Sequence, residues 1–311
     1  MPVAPEAAVR VPATSANLGP GFDCLGLALS PADELEGRFT GGTGVAVTVE
    51  GEGAGQVPTD ETNLVARMVR TGLLTFDESG QLARRGLALT CRNAIPHGRG
   101  LGSSAAAIVG GLSLAAHLAG VADDVSSAEL VALATRLEGH PDNVAPAILG
   151  GATIAWMHDA GDGLGMVGRA TRLSVHPGIV PVVAIPANQA STSRARGALP
   201  ASVPHCDAVF NLARSALLVH ALTADPSLLL EATADRLHQE QRREVYPHSL
   251  ALVEQLRSAG VPAAISGAGP SVIAFAVDGA GDDLARWIAS VAVAGTRVDP
   301  MPVAPEGVAA L

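Results

Sequence analysis

Residues 96–107 read Pro-His-Gly-Arg-Gly-Leu-Gly-Ser-Ser-Ala-Ala-Ala, between an alternating apolar segment and a long run of small residues. Gly98, Gly100 and Gly102 permit tight curvature and close approach of backbone to a ligand, while Ser103 and Ser104 stand where loop becomes helix. Exposed N–H groups and the positive end of a helix dipole meet there, a geometry that suits an anion and phosphate above all. The loop follows a predicted strand directly, so a sheet and not a free linker sets its position.

Composition limits how such a loop works. All 20 basic residues are arginine, and without lysine neither a Walker A loop nor Schiff-base chemistry is available. Phosphate must then be held by amides, hydroxyls, arginine and a metal. A net charge of −10, with no arginine cluster beyond pairs, makes a nucleic-acid backbone a poor partner. Cys24, Cys91 and Cys206 share no metal-ligand spacing and read as core thiols of a reducing compartment. No basic segment followed by an apolar core precedes Glu6, and the apolar run 105–119 is short for a membrane span. The expectation is a cytoplasmic protein without a membrane partner.

In chain order, residues 1–5 read as a loose end and 8–11 as a short strand. Residues 12–26 interrupt apolar sequence with turn formers, in which Asn17 and Asp23 either cap turns or present a carbonyl and a carboxylate to a ligand amine. Strands are expected at 25–29, 43–49 and 87–91, and helices at 62–74, 103–118 and 127–137. Gly110 and Gly111 weaken the second of these helices by about 1 kcal/mol each relative to alanine, which close contact with another backbone would offset. Glu138 follows the third helix, leading into Gly-His-Pro-Asp-Asn at 139–143. It is either a solvated end-of-helix charge or, because acids are disfavoured there, a ligand for a cation. Magnesium takes few protein ligands, and Glu138 with the hydroxyl of Ser103 or Ser104 meets that requirement. His140, Asp142 and Asn143 would then surround a phosphoryl acceptor.

Turn-like composition at 159–168 marks a domain boundary, giving 1–165 and 166–311. Beyond it, 179–186 reads as a buried strand, 191–196 as a helix start, and 208–222, 228–244 and 249–258 as helices. Residues 263–277 read as strand, glycine-rich turn and strand, where Gly267 serves either a tight turn or close approach to phosphate. A helix at 282–293 and a loose tail beyond residue 300 complete the chain.

Three separated segments, Ser-Ala-Asn-Leu-Gly-Pro-Gly-Phe-Asp at 15–23, the loop at 96–106 and Ser-Gly-Ala-Gly-Pro-Ser at 266–271, resemble the signatures of the GHMP kinase superfamily. The first of these together with His-Pro-Asp-Asn-Val-Ala-Pro-Ala at 140–147 resembles the homoserine kinase family in particular. The resemblance implies an α+β fold of two domains, N-terminal ribosomal-protein-S5 domain-2-like and C-terminal ferredoxin-like, commonly as a homodimer. It implies phosphoryl transfer from ATP to the hydroxyl of L-homoserine, in threonine biosynthesis. Asn17, Asp23, His140 and Asp142 would bind the amino-acid substrate, with Arg196 and Arg242 on its carboxylate, although Arg243 also fits the pattern. Thr192, Asn143 and Asp142 would lie at the transferred phosphate, with Asp142 orienting substrate and not acting as a base. Pro96, His97, Gly98, Arg99, Gly100, Leu101, Gly102, Ser103, Ser104, Ala105, Ala106 and Gly267 would hold the triphosphate, and Ser104 and Glu138 would serve Mg2+.

Overall fold

The computed structural model describes residues 5–161 and 165–311, so most of the expected loose end and part of the expected boundary, 162–164, lie outside the described residues. Two sheets organise the chain. The first contains β1 (Glu6–Ala16), β2 (Leu25–Thr40), β3 (Val45–Gly51), β4 (Gly86–Asn93), β5 (Ala152–Asp159) and β6 (Met166–Leu173), with α1 (Leu64–Phe76), α2 (Ser103–Ala119), α3 (Ser127–Glu138) and α4 (Val144–Leu149) between them. The second is built from β7 (Ile179–Ile185), β8 (Ala263–Ile265), β9 (Val272–Val277) and β10 (Arg297–Pro300). Its helices are α5 (Thr192–Gly197), α6 (His205–Thr223), α7 (Leu229–Ala232), α8 (Pro247–Ser258) and α9 (Gly281–Val291). A last strand, β11 (Ala309–Ala310), returns to the first sheet.

The first sheet runs β11-β1-β2-β4-β3, with β5 and β6 continuing from β2; the β3–β4 pair is parallel and the others antiparallel. α2 is almost wholly buried, apolar on every side as a central helix must be. Gly111 supplies the expected close approach: a Cβ there would lie 2.5 Å from Met68 Cβ and 3.1 Å from the Val65 carbonyl on α1. Gly110 instead faces the side chains of Leu35 and Val11 on the sheet. The second sheet runs β10-β7-β9-β8, antiparallel throughout, with Leu250, Val253 and Leu256 of α8 and Ile288 of α9 in its core.

Four expectations are corrected. β2 extends to Thr40 instead of stopping at residue 29, because a bulge opposite Pro12 and Ala13 absorbs Ser30 and Pro31, and a bulge tolerates a residue without an N–H. The division at 165/166 falls between two paired strands: β6 is hydrogen-bonded to β5, and the chain crosses to the second sheet between Leu173 and Ile179. Residues 228–244 are not one helix. Beyond α7, the Asp235 carboxylate accepts from the N–H groups of Leu237, His238 and Gln239, which turns the chain into an irregular segment with one 3-10 turn at Glu240–Arg242. The tail is not loose either. Met301 is buried, Val303 bridges Leu29, Val308 donates to Ala147, and β11 covers the edge of β1 that would otherwise be exposed.

Deleting residues 302–311 should therefore lower the melting temperature by about 5 °C or more, since several buried backbone hydrogen bonds are lost at ~1 kcal/mol each. A truncated chain that melts within about 1 °C of the full chain in calorimetry would show the tail to be dispensable.

Candidate active site

The glycine loop is anchored at both ends. The carboxylate of Asp33, buried on β2, accepts from the N–H groups of Ala94 (2.8 Å) and Ile95 (2.9 Å), fixing the chain as it leaves β4. Burial pushes that carboxyl up to about 6, against the two N–H bonds that favour its charge. At the far end Leu101 is buried, and its carbonyl accepts from Thr14 N–H at 3.1 Å. Between these points Gly98, Gly100 and Gly102 all take left-handed conformations. At Gly100 a Cβ would sit 2.2 Å from the Ser266 carbonyl oxygen, and at Gly102 1.9 Å from Thr14 Oγ1, so only glycine fits.

The loop from the second sheet closes against this one. Ser266 donates its hydroxyl to Gly100 O at 2.7 Å, Gly267 N–H donates to Ala16 O at 2.8 Å, and Ser271 N–H reaches Arg99 O at 3.3 Å. Arg99 does not turn its charge to the cleft. Its guanidinium donates to the carbonyls of Pro186, Ala187 and His97, pinning the loop to the end of β7. Pro96, Ala105 and Ala106 are buried behind the loop. What remains for an anion is the backbone N–H groups and the first turn of α2, whose N-cap Gly102 supplies no side-chain acceptor.

A cavity of about 170 Å³ lies in front of that turn. Asn17, Gly98, Gly100, Gly102, Ser103, Ser104, Glu138, His140, Asn143, Thr192, Arg196, Arg242 and Gly267 line it together. Ser104 rather than Ser103 meets the acid: its hydroxyl donates to Glu138 Oε2 at 2.8 Å. Burial pushes Glu138 above the usual carboxylate range, partly offset by Ser104 and by His140. A hard cation would relieve that cost. Among the described residues no three His, Cys, Asp or Glu side chains converge on a metal, so Glu138 and Ser104 would be its protein ligands.

Asp142 is fully buried and does not line the cavity. Its Oδ1 lies 2.9 Å from His140 Nδ1, a bond that raises the imidazole pKa and turns the ring into the cleft. Asn143 is oriented by the Thr14 hydroxyl, which donates to its Oδ1 at 2.8 Å.

Opposite, Asn17 lines the cavity and Asp23 is tied to it through Arg196; both Asn17 and Asp23 have positive φ, a conformation Asn and Asp tolerate better than other side chains. Asp23 N–H donates to Asn17 Oδ1 at 2.8 Å, and the Asp23 carboxylate forms a two-pronged pair with Arg196 at 2.6 and 3.1 Å. Arg242 is 1% exposed and reaches the cavity. Arg243 points away and is paired with Glu240 and Glu254 on the surface.

Residues 63–151 match the GHMP kinases N terminal domain and residues 217–289 the GHMP kinases C terminal domain. A homoserine kinase of Streptomyces avermitilis is 51% identical over 89% of this chain and 88% of its own. The chain belongs to the homoserine kinase family of the GHMP kinases. The solved homoserine kinase of Cytophaga hutchinsonii superposes with a TM-score of 0.83 at 27% identity, covering 100% of this chain and 99% of that one. A putative homoserine kinase from Listeria monocytogenes follows at 0.77 and 29%, covering 98% of each. The two-domain α+β architecture of the GHMP kinases is thus the fold of this chain.

Within that fold, two parts of the site lie partly outside the motifs. A second cavity of about 350 Å³ shares Ser103 and Ser104 with the first and is walled by Val49, Pro58, Asn63, Leu64 and His97. His97, Ser103 and Ser104 belong to the glycine-loop motif, whereas Asn63, which caps α1 by accepting from Val65 N–H at 2.9 Å, stands in none. The cluster of half-buried Phe22 with the buried side chains of Asp235 and His238, beside Arg242, is the other. Phe22 belongs to the motif at 15–23, while Asp235 and His238 stand in none.

Because the folded-state pKa of Asp33 lies above its ordinary value of 3.8, its contribution to stability is complete below about pH 4 and is lost as pH rises through about 6. Asp33→Asn keeps the acceptor for Ala94 and Ile95 and removes the buried charge. Thermal melts should show the variant stabilised at pH 8, by at most ~3 kcal/mol, and the advantage gone at pH 4. Equal effects at both pH values would contradict the buried-charge account.

Proposed function

We propose that this chain transfers the γ-phosphoryl group of ATP to the side-chain hydroxyl of L-homoserine, giving O-phospho-L-homoserine for threonine biosynthesis. One observation carries the reading: a single cleft holds an anion-binding loop with a carboxylate–hydroxyl pair on one wall and two guanidinium groups on the other, one of them paired with the Asp23 carboxylate. The first wall suits a nucleotide triphosphate and its cation; the second suits an α-amino acid. Membership of the homoserine kinase family supports the same substrates.

In this reading the adenosine enters the cavity beside Asn63 and His97, and the triphosphate lies along the N–H groups of residues 98–104. Glu138 and Ser104 hold Mg2+, which when bound neutralises charge on the phosphates. Asp23 and Asn17 take the homoserine ammonium, and Arg196 and Arg242 its carboxylate. The hydroxyl is then presented near His140, Asn143 and Thr192 for in-line transfer. Such transfer has a loose transition state and depends on positioning and charge more than on a strong base. Asp142, buried against His140, positions that ring. Among the described residues no helix is long and apolar enough to cross a membrane. The enzyme is taken to act in the cytoplasm as a homodimer on a free amino acid, with no nucleic-acid partner.

ADP release with Mg-ATP should depend on L-homoserine and be near background with L-serine, L-threonine and mevalonate, with O-phosphohomoserine identified by mass spectrometry. Turnover of mevalonate and not homoserine would keep the kinase and overturn the substrate. Arg196→Ala should raise the homoserine KM by about tenfold or more while the ATP KM moves less than about twofold, as expected for loss of a charged hydrogen bond. Parallel increases in both would remove Arg196 from the amino-acid site.

A further inference from the structure

We propose that His238, which lies outside the cleft, is the positioning residue that sets the carboxylate-binding arginine, Arg242, against the ammonium-binding loop at 17–23. The inference rests on the homoserine reading above and adds to it a residue that touches no substrate.

His238 is 0% exposed. Its Nε2 lies 2.6 Å from the Gly19 carbonyl oxygen and its Nδ1 3.2 Å from Arg242 Nη1. A carbonyl oxygen only accepts and a guanidinium only donates. Nε2 therefore carries the proton, Nδ1 is bare, and the ring is neutral in one tautomer. Burial pushes its pKa down, in agreement with a neutral imidazole. No other side chain of similar size offers a donor and an acceptor at opposite ends of a rigid plane.

The ring is itself held. The Asp235 carboxylate accepts from His238 N–H (3.0 Å), Gln239 N–H (2.8 Å) and Asn211 Nδ2 (2.8 Å), and Phe22 stacks at 5.2 Å between ring centroids. Arg242 is thereby fixed on two sides, with Nε donating to Ala195 O at 3.0 Å and Nη1 to His238. Tyr246 also interacts with this guanidinium, which borders the cavity. Gly19 stands between Asn17 and Asp23, where a Cβ would lie 2.6 Å from Thr233 O. One imidazole thus spans the two groups that must grip opposite ends of an amino-acid head, and it fixes their separation.

The test is steady-state kinetics on the full chain with Mg-ATP and L-homoserine. His238→Phe keeps the ring and removes both hydrogen bonds; His238→Asn places an acceptor where Nδ1 was; His238→Gln places a donor near the position of Nε2. The phenylalanine variant should raise the homoserine KM by about tenfold or more with the ATP KM within about twofold of wild type. The asparagine variant should recover most of that loss and bind homoserine more tightly than the glutamine variant. An unchanged homoserine KM in a folded phenylalanine variant, or equal increases in both KM values, would overturn the role. If the phenylalanine variant does not fold, the other two decide: glutamine equal to or better than asparagine overturns it. A wild-type chain without homoserine-dependent turnover overturns this assignment together with its substrate. Normal wild-type turnover with unmoved variants overturns His238 alone.

Discussion

The approach of Gly100 to Ser266 is the contact on which the cleft depends. The two residues belong to loops from different sheets, and the Ser266 carbonyl occupies the space a Cβ on Gly100 would need. The Ser266 hydroxyl then donates to the Gly100 carbonyl, and it lies 2.8 Å from the hydroxyl of Ser15 at the end of β1. Three chain segments far apart in sequence are locked within one hydrogen-bonded group. With the loops this close, the first turn of α2, Glu138 at the end of α3 and Arg196 on α5 all border one cavity of about 170 Å³. The glycine content of the loops follows from backbone approach as much as from turn geometry.

The electrostatics of the cleft follow from a chain without lysine. Arg99, the one cation within the glycine loop, is used as a structural clamp on three carbonyls. Positive potential for an anion then comes from helix and loop N–H groups, whose direction is fixed by the fold and which need no flexible side chain. The cost appears at Glu138, a partly buried carboxyl at the C-terminal end of α3, where the helix dipole also opposes its charge. Ser104 meets only part of that cost.

Periodicity and composition made β3, α1, β4, α2 and α3 legible, and Asn17, the segment 138–140 and Arg196, the last assigned only through the family resemblance, lie in separate stretches that the fold brings to one cleft. Direction was not legible. Ser103 and Ser104, like Arg242 and Arg243, are neighbours in sequence, and only the turn of helix or 3-10 segment decides which hydroxyl meets Glu138 and which guanidinium faces the cavity. Failures elsewhere share one cause, long-range partners. The Ser30-Pro31 break is absorbed by a partner strand, residues 233–246 are reshaped by the buried Asp235, and the tail is held by Leu29, Ala147 and β1. Helix-forming composition in 228–244 gave no sign that a buried carboxylate would outcompete the helix for its N–H groups.

The pairing of Asp23 with Arg196 bears on why such a cleft would select a zwitterion. Each group satisfies the other, and both side chains retain about a third of their exposure, at 37% and 34%. An ion pair of that exposure is weak, so separating it costs little. A ligand carrying only a carboxylate would compensate Arg196 and strand Asp23, while one carrying only an ammonium would do the reverse. An α-amino acid replaces both partners at once, so neither charge is left unpaired as the cleft fills and loses water. Selection against uncharged alcohols then needs no clash with the wrong substrate. Such a substrate offers neither charge a new partner, so it leaves the Asp23–Arg196 pair closed and gains nothing from it.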